Sequence, residues 1–169
     1  AELRTCGAAA EPLPCSSSCA LSADGSTARL TYVAERAGEA MLHLAWRGAQ
    51  TQPLGGSPFL VRVGPGVPHA RLSTASGDGC SRGRAGPKPS SFVVTTRDRF
   101  GNLVRKGGAR LVVQISGPTH PITAVQDVGD GSYQVSVRWG LSGVYALSVC
   151  VGRSGAHIQG SPFRVAVER

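Results

Sequence analysis

The sequence predicts an all-β protein in which short strands, joined by tight turns, form small β-sandwiches. Three observations support this fold class. Apolar and polar residues alternate in several short runs, which is the period of a half-buried strand. Glycine (23 residues) and proline (11 residues) supply a large share of the 169 residues, as tight turns require. The chain also repeats itself at a spacing of about 100 residues, the size of one sandwich.

The internal repeat is visible in three colinear blocks. Gly-Ser-Pro-Phe occurs at residues 56–59 and 160–163, and Asp-Gly-Ser occurs at residues 24–26 and 130–132. Between these blocks, residues 38–44 match residues 143–149. The spacing drifts by one residue from block to block, which indicates two copies of one unit with small differences in loop length. We therefore expect a partial first copy at residues 1–64 and a complete second copy at residues 65–169.

The second copy predicts about seven strands. Its later runs either alternate apolar with polar residues or are rich in valine and isoleucine. The Asp-Gly turn at residues 130–131 separates two runs, because such a turn needs a positive φ angle that glycine tolerates. No stretch holds a 3.6-residue period over three turns, so helix is a minor component. The predicted strands are residues 70–73, 91–96, 109–116, 122–126, 133–137, 145–151 and 163–167.

The first copy retains only the C-terminal strands of the unit, around residues 28–32, 41–46 and 59–63. Fewer residues precede them than in the second copy, so we expect its first three strands to be missing or degenerate. A sandwich without these strands leaves apolar faces and edges uncovered. We expect the sequence to be part of a longer tandem array.

The net charge of +8 favours negatively charged partners. Basic residues are densest between Arg82 and Arg110, and such a field attracts nucleic acid, anionic membranes or acidic proteins. The alternative is a solvated, arginine-rich surface. The stretch lacks interleaved aromatic residues and any nucleic-acid-binding signature, so nucleic acid is not the expected partner. No apolar run is long enough for a membrane helix, and we assign any membrane contact to regions outside this sequence.

The chain contains five cysteines and none of the sequence motifs of common enzymes. Cys6, Cys15, Cys19, Cys80 and Cys150 are odd in number, so one thiol lacks a partner within the chain. A pair among the first three and a Cys80–Cys150 pair would suit a secreted protein, whereas five free thiols suit a reducing compartment. Cys15 and Cys19 have the spacing of half a zinc site, but no second pair follows. No nucleophile elbow, zinc-protease motif or P-loop occurs, so we expect no enzyme, cofactor, metal or small-molecule substrate.

Five sequence blocks of the second copy follow one another in a set order. They are RDRFGN at residues 97–102, SGP at 116–118, DVGDGSY at 127–133, GVY at 143–145 and HIQGSPF at 157–163. Together they resemble the signatures of filamin-type immunoglobulin-like repeats over residues 68–169. The first copy matches only the last three blocks, and it departs from them at Ala40 and at residues 52–55. The resemblance implies an immunoglobulin-like β-sandwich of about seven strands per complete repeat.

The signature residues are expected to have structural roles. Phe163 should fill the sandwich core, and Tyr133 and Tyr145 should be half-buried with their hydroxyl groups at the rim. The residues of this structural set are Gly56, Ser57, Pro58, Phe59, Asp130, Gly131, Tyr133, Gly143, Tyr145, Gly160, Ser161, Pro162 and Phe163.

The resemblance implies a non-enzymatic scaffolding protein whose repeats bind extended peptide segments by β-strand addition. In filamin-type repeats the added strand lies in the groove between the third and fourth strands. Alternation places Leu111, Val113 and Ile115 on one face of the third strand, and the face that meets a partner depends on a register that the sequence leaves open. Carried over by position, the candidate groove residues are Arg110, Leu111, Val112, Val113, Gln114, Ile115, Ile122, Ala124 and Gln126.

Three functional classes stay open. The first is a cytoplasmic scaffold of filamin type, linked to the actin cytoskeleton through regions outside this sequence. The second is a cell-surface or extracellular adhesion protein with tandem repeats, which the cysteines favour. The third is an intracellular regulator, such as a tripartite-motif ubiquitin ligase with one such repeat, which the two tandem copies disfavour.

Overall fold

A computed structural model describes residues 2–5, 11–48, 50–152 and 155–169. The chain divides into two compact units, Ala1–Gly64 (unit 1) and Pro65–Arg169 (unit 2). In the described residues the regular structure is β-strand, apart from two 3₁₀ turns at Ala70–Leu72 and Asp78–Cys80. The all-β fold class that the sequence predicts is confirmed.

The described residues of unit 1 form seven strands. They are β1 (Glu2–Thr5), β2 (Cys15–Leu21), β3 (Ala28–Ala34), β4 (Gly38–His43), β5 (Ala45–Arg47), β6 (Thr51–Pro53) and β7 (Phe59–Val63). One antiparallel sheet has the order β1-β4-β7, and two hairpins pair β2 with β3 and β5 with β6. The core of unit 1 is small, because Ala40 and Leu42 are the only buried members of its cluster among the residues that the structure describes, with Tyr32 and Val61 packed against them.

The described residues of unit 2 form nine strands in two facing sheets. They are β8 (Thr74–Ser76), β9 (Arg82–Arg84), β10 (Ser90–Thr95), β11 (Leu111–Ser116), β12 (Ile122–Asp127), β13 (Ser132–Arg138), β14 (Gly143–Val151), β15 (Ala156–His157) and β16 (Phe163–Glu168). One sheet has the order β12-β13-β10-β8, and the other has the order β11-β14-β16-β9 with β15 beside β14. The pairing of β16 with β9 is parallel, whereas the other pairings in unit 2 are antiparallel.

The core of unit 2 lies between the two sheets and follows the alternation seen in the sequence. Trp139 closes one end of this core, with its ring centroid 4.8 Å from that of Tyr145. Each fully buried apolar side chain contributes about 1.5–3 kcal/mol of stability relative to an exposed one. The inward residues of the strands that are at most 5% exposed are Phe92, Val94, Tyr133, Val135, Val137, Tyr145, Leu147, Val149, Val151, Val165 and Val167.

Three parts of unit 2 differ from the predicted strands, and one of them is the short strand Ala156–His157, which was not predicted. Residues 70–73 were expected to form the first strand, but Ala70–Leu72 is a 3₁₀ turn, and the first strand is Thr74–Ser76. The turn forms because the His69 carbonyl oxygen accepts the N–H groups of Leu72 and Ser73. The strand Arg82–Arg84 was not predicted, since its polar residues do not alternate with apolar ones.

The aromatic signature residues also differ from expectation. Tyr133 and Tyr145 are 2% and 1% exposed, so the prediction of half-burial is wrong. Their hydroxyl groups are accommodated by hydrogen bonds, because Tyr133 Oη accepts the Ala109 N–H at 2.7 Å and Tyr145 Oη donates to the Leu141 carbonyl oxygen at 3.0 Å. Phe163 packs against the core but is only partly buried.

The turn before β13 depends on Gly131. Its φ angle is +86°, and a Cβ atom there would overlap the Val104 carbonyl oxygen. The preceding carboxylate of Asp130 accepts the N–H and the hydroxyl group of Ser132, which lowers the pKa of Asp130. The Asp-Gly pair is therefore a structural turn, as the sequence predicts.

The carboxylate of Asp98 organises the loop after β10. It accepts the backbone N–H groups of Phe100 and Asn102, and it also accepts the N–H of Gly66 at 2.8 Å. Asp98 is 1% exposed, so these hydrogen bonds compensate a buried charge. Burial acts to raise the pKa of Asp98, but the hydrogen bonds outweigh it and hold the pKa below the ordinary value of 3.8.

Candidate partner-strand cleft

Each sheet of unit 2 has an edge strand on the same side of the sandwich, where the Asp127 carboxylate meets the Gly108 N–H. β11 ends one sheet and β12 ends the other. The short segment at residues 117–121 joins the end of β11 to the start of β12. We use the name edge cleft for the facing edges of these strands, and we define it by the inward residues Leu111, Val113, Ile115, Thr123 and Val125.

The edge cleft is held together at both ends. At one end the Asp127 carboxylate accepts the Gly108 N–H at 2.6 Å, and Tyr133 Oη accepts the N–H of Ala109. At the other end, the hydroxyl groups of Thr119 and Tyr145 are 2.9 Å apart. Each strand has six residues, which gives the cleft a length of about 20 Å.

The free edge of β11 presents unpaired backbone groups. The Arg110 carbonyl oxygen accepts the Gly152 N–H at 2.9 Å, so Arg110 directs its backbone toward β14. Backbone groups alternate in direction along a strand. The N–H and C=O groups of Leu111, Val113 and Ile115 therefore face away from β14, where another strand can pair with them.

The burial of the side chains of β11 shows which face of this strand points inward, a point that the sequence left open. Leu111, Val113 and Ile115 pack against the core of unit 2 but are only partly buried. The alternate residues Val112 and Gln114 consequently lie on the outer face of the sheet. A partner strand added along β11 would extend both the inner and the outer face of this sheet. Alternate side chains of the partner strand would therefore enter the cleft.

The pairing of β12 with β13 determines which of its residues face the cleft. These residues are not the ones that the sequence predicts. Thr123 and Val125 lie opposite Val137 and Val135, which are core residues, so they face inward. Val125 is nevertheless 44% exposed, because the sandwich is open at this side. The predicted groove residues of β12 lie instead on the outer face of the sheet: Ile122, Ala124 and Gln126. No sequence signal marks the inward face of β12, because all six of its residues are exposed, and only its pairing with β13 shows that face.

The basic stretch between Arg82 and Arg110 does not form one continuous surface. Arg82 pairs with Asp78 at 3.0 Å, and the Arg84 guanidinium donates to a backbone carbonyl at the C-terminus. The Arg99 guanidinium lies 4.5 Å from the centre of the Phe100 ring. The exposed Arg105, Lys106 and Arg110 stand near the start of β11, where the Asp127 carboxylate also lies against Gly108.

The described cysteines are free thiols. Cys15 and Cys19 lie four residues apart on β2, and a separation of about 13 Å along a strand excludes both a disulfide and a shared zinc ion. Cys80 packs in the core of unit 2, whereas Cys150 is buried outside that cluster. Burial raises the pKa of Cys80 to about 11. Cys6 lies outside the described residues.

Among the residues that the structure describes, no group of three or more His, Cys, Asp or Glu side chains could hold a metal ion. The described residues also contain no helix that is long and apolar enough to cross a membrane.

An immunoglobulin-like sandwich with a free strand edge beside an apolar cleft belongs to the class of domains that bind other proteins. A family model described as Filamin/ABP280 repeat matches residues 67–164. The chain therefore belongs to the filamin repeat family, and the resemblance noted in its sequence blocks is confirmed.

Known proteins are similar to this chain over one or both units. Rat tripartite motif-containing protein 3 is 37% identical over 102 residues, which cover 59% of this chain and 13% of that protein. Filamin-A of Drosophila melanogaster is 32% identical over 140 residues, which cover 83% of this chain and 6% of that protein. The chain thus spans a small part of these longer relatives. The crystal structure of the Lin-41 filamin domain shares the fold, with a TM-score of 0.51 at 22% identity, over 60% of this chain and 97% of that chain.

Proposed function

We propose that unit 2 binds an extended segment of a partner protein as an added strand along β11, and that the chain is a non-enzymatic module of a scaffolding protein. The free edge is the observation that carries this proposal, since the backbone groups of Leu111, Val113 and Ile115 face outward beside the edge cleft. Backbone hydrogen bonds would supply affinity for many sequences, and the cleft would select side chains.

The edge cleft favours one kind of partner segment. Alternate side chains of the added strand would pack against Val113 and Val125, so they are expected to be apolar. A cleft about 20 Å long accommodates about six residues.

Peptide selection followed by mapping tests the proposal. Twelve-residue peptides would be selected by phage display on the full chain, synthesised, and mapped by amide hydrogen exchange. The amides of Leu111, Val113 and Ile115 are expected to gain protection when a selected peptide binds. Protection confined to β12 or to the sheet faces would contradict strand addition to β11.

A matched pair of variants separates the cleft from the outer face. Val125→Asp places a carboxylate within the apolar cleft, and it should weaken peptide binding by about tenfold or more. Ala124→Asp places the same group on the outer face of the same strand, and it should change affinity by less than about twofold. Equal effects of the two substitutions would place the peptide elsewhere.

The cytoskeletal part of the proposal rests on family membership. The match to Filamin-A of Drosophila covers more of this chain than unit 2 alone, which favours tandem repeats of filamin type over a regulator with one repeat. We assign contact with actin itself to regions outside these residues. The chain is therefore expected to stay in the supernatant when actin filaments are sedimented. Sedimentation of the chain with the filaments would show that this chain itself binds actin.

A cell-surface adhesion protein is the second candidate, and the odd number of cysteines is the observation that favours it. The discriminating measurement is the intact mass with and without thiol alkylation, before and after reduction, on protein from its native compartment. Disulfides would support adhesion outside the cell. Five free thiols would support the intracellular scaffold.

A further inference from the structure

The positive charge of the chain is concentrated on unit 2. Unit 1 contains five basic and five acidic residues, whereas unit 2 contains 13 basic and five acidic residues. Two segments of unit 2 that lie outside the strands, residues 67–72 and 97–106, together hold five basic residues and one acidic residue. We call the surface of these two segments the loop surface. Its basic residues are Arg71, Arg97, Arg99, Arg105 and Lys106.

Backbone hydrogen bonds hold the two segments together at one end of the unit 2 sandwich. The His69 N–H donates to the Arg97 carbonyl oxygen at 2.7 Å, which places the first segment beside the end of β10. The Val104 N–H donates to the Thr96 carbonyl oxygen at 3.0 Å, so the second segment returns to the same end after its turn. Basic residues that are separated in the sequence therefore lie at one end of the fold.

The second segment forms a tight loop with an aromatic side chain at its tip. The Gly101 N–H donates to the Asp98 carbonyl oxygen at 3.0 Å, and the chain reverses direction between these residues. Phe100 lies within this turn and is 39% exposed. The Arg99 guanidinium lies 4.5 Å from the centre of the Phe100 ring. The tip therefore presents an apolar ring and a cation side by side.

Three aliphatic side chains of the loop surface are also exposed. Val67, Leu103 and Leu72 are 84%, 40% and 37% exposed. Together with Phe100, they place four large apolar side chains on a surface that also carries the cations. Single exposed apolar residues are common in proteins, but several of them on one basic surface indicate a partner that accepts both kinds of side chain.

The loop surface keeps an excess of positive charge. In the described part of the chain, Arg99, Arg105 and Lys106 form no salt bridge. With the neighbouring Arg110, six cations lie at this end of unit 2. Three carboxylates lie there as well, and they accept hydrogen bonds from backbone N–H groups: Asp98, Asp127 and Asp130. The remaining excess of cations favours an anionic partner.

We propose that the loop surface of unit 2 binds a lipid bilayer that contains anionic phospholipids. The cations would contact the phosphate groups of the lipids, and Phe100 and Leu103 would insert between the headgroups. This differs from the expectation that membrane contact lies outside this sequence, because the basic and apolar residues come together only in the fold. The interaction is independent of strand addition to β11, since the edge cleft is lined by other residues.

A bilayer fits the loop surface better than other acidic partners do. Its headgroup region neutralises cations, and the adjoining acyl chains accept apolar side chains that protrude. A nucleic acid would meet the cations with phosphate groups but would leave Val67 and Leu103 without an apolar contact. Unit 1 has no excess of acidic residues, so it offers the cations no complementary charge.

Vesicle sedimentation with the full chain tests the charge requirement. Vesicles of phosphatidylcholine with about 30% phosphatidylserine should bind the chain at least about tenfold more tightly than vesicles of phosphatidylcholine alone. Raising the salt concentration from about 0.1 M to about 0.5 M should remove most of the binding, because exposed charges are screened. Equal binding to both kinds of vesicle would overturn the proposal.

Two double variants with the same change in net charge locate the binding surface. Arg105→Glu with Lys106→Glu reverses two cations of the loop surface and should weaken binding by about tenfold or more. Lys88→Glu with Arg138→Glu is the matched control, since both residues are exposed near the other ends of β10 and β13, and it should weaken binding by less than about threefold. Equal effects would show that binding follows net charge alone and would refute the assigned surface.

A fluorescent side chain at the tip tests insertion into the bilayer. In Phe100→Trp, the tryptophan emission should shift to shorter wavelength when phosphatidylserine vesicles are added, because the indole ring enters a less polar region. Ile122→Trp is the matched control, since Ile122 is 68% exposed at the remote end of β12, and its emission should stay constant. Constant emission in Phe100→Trp would contradict insertion of the tip.

Competition distinguishes a bilayer from a nucleic acid. Single-stranded RNA at equal phosphate concentration should displace less than about half of the vesicle-bound chain. Complete displacement, together with RNA binding that Phe100→Ser does not weaken, would assign the loop surface to nucleic acid. The circular dichroism spectrum and melting temperature of each variant show whether the substitution leaves the fold intact.

Discussion

Replacing Tyr133 by Phe tests how unit 2 holds the start of β11. The hydroxyl oxygen of Tyr133 accepts the Ala109 N–H at 2.7 Å, and this bond ties the segment before β11 to the opposite sheet. The substitution keeps the aromatic ring, which is 2% exposed in the core, and removes only the hydroxyl group, which also interacts with the Asp127 carboxylate. The change in stability therefore reports on the contacts of this hydroxyl group and not on packing.

The expected loss is about 1–2 kcal/mol, because the N–H of Ala109 is left without its acceptor in a partly buried place. For a domain of this size, that loss lowers the melting temperature by about 5–10 °C. Urea unfolding followed by tryptophan fluorescence measures it, since Trp139 is 1% exposed and reports on unit 2, whereas Trp46 in unit 1 is 58% exposed.

Amide exchange shows whether the loss has the expected location. Exchange at Ala109 should accelerate in Tyr133→Phe, because the bond that protects this N–H is gone. Tyr145→Phe is the control, since it removes a hydroxyl group that contacts Thr119 and Leu141 and leaves the Ala109 bond in place. An unfolding free energy that changes by less than about 0.3 kcal/mol, with unchanged exchange at Ala109, would refute the assigned role of Tyr133.

Three further predictions concern other parts of unit 2. Gly131→Ala should destabilise it by about 4 kcal/mol or more, because the new Cβ meets the Val104 carbonyl oxygen at a positive φ angle; retention of a native spectrum and midpoint would contradict this. The pKa of Asp98 is lowered in the folded state, so its stabilising effect is present above about pH 4 and is lost as the pH falls further. The difference in unfolding free energy between the wild type and Asp98→Asn should therefore shrink below about pH 4, and a constant difference down to pH 2 would contradict it. Burial raises the pKa of Cys80 to about 11, so iodoacetamide should modify the exposed Cys19 at least about tenfold faster at neutral pH, as mass spectrometry of peptides can show.

Much of the fold of unit 2 could be predicted from local patterns. The alternation in β13 and β14 identified their core residues correctly, because period-2 burial is a property of each strand alone. The strand β9 was missed, because Arg82–Arg84 is polar and owes its extended form to its parallel pairing with β16. Residues 70–73 form a turn and not the predicted strand, because the His69 carbonyl oxygen accepts two nearby N–H groups, and the sequence pattern does not show this local acceptor.

The candidate site was predictable in outline but not in its lining. The position of β11 and β12 followed from the order of the sequence blocks, and the structure places both strands at sheet edges. The inward face of β12 was not predictable from composition, because all six of its residues are exposed and no apolar alternation marks its buried side. Only its pairing with β13 distinguishes Val125 from Ala124.

The sequence by itself determined the all-β class, the two copies and the signature turns, because alternation and glycine at positive φ act over a few neighbouring residues. The tertiary structure decided which backbone groups stay unpaired and which apolar side chains stay uncovered. Both depend on the strands that lie beside one another, and those neighbours are distant in the chain. The free edge of β11, on which the proposed function rests, is therefore a property of the assembled sheets.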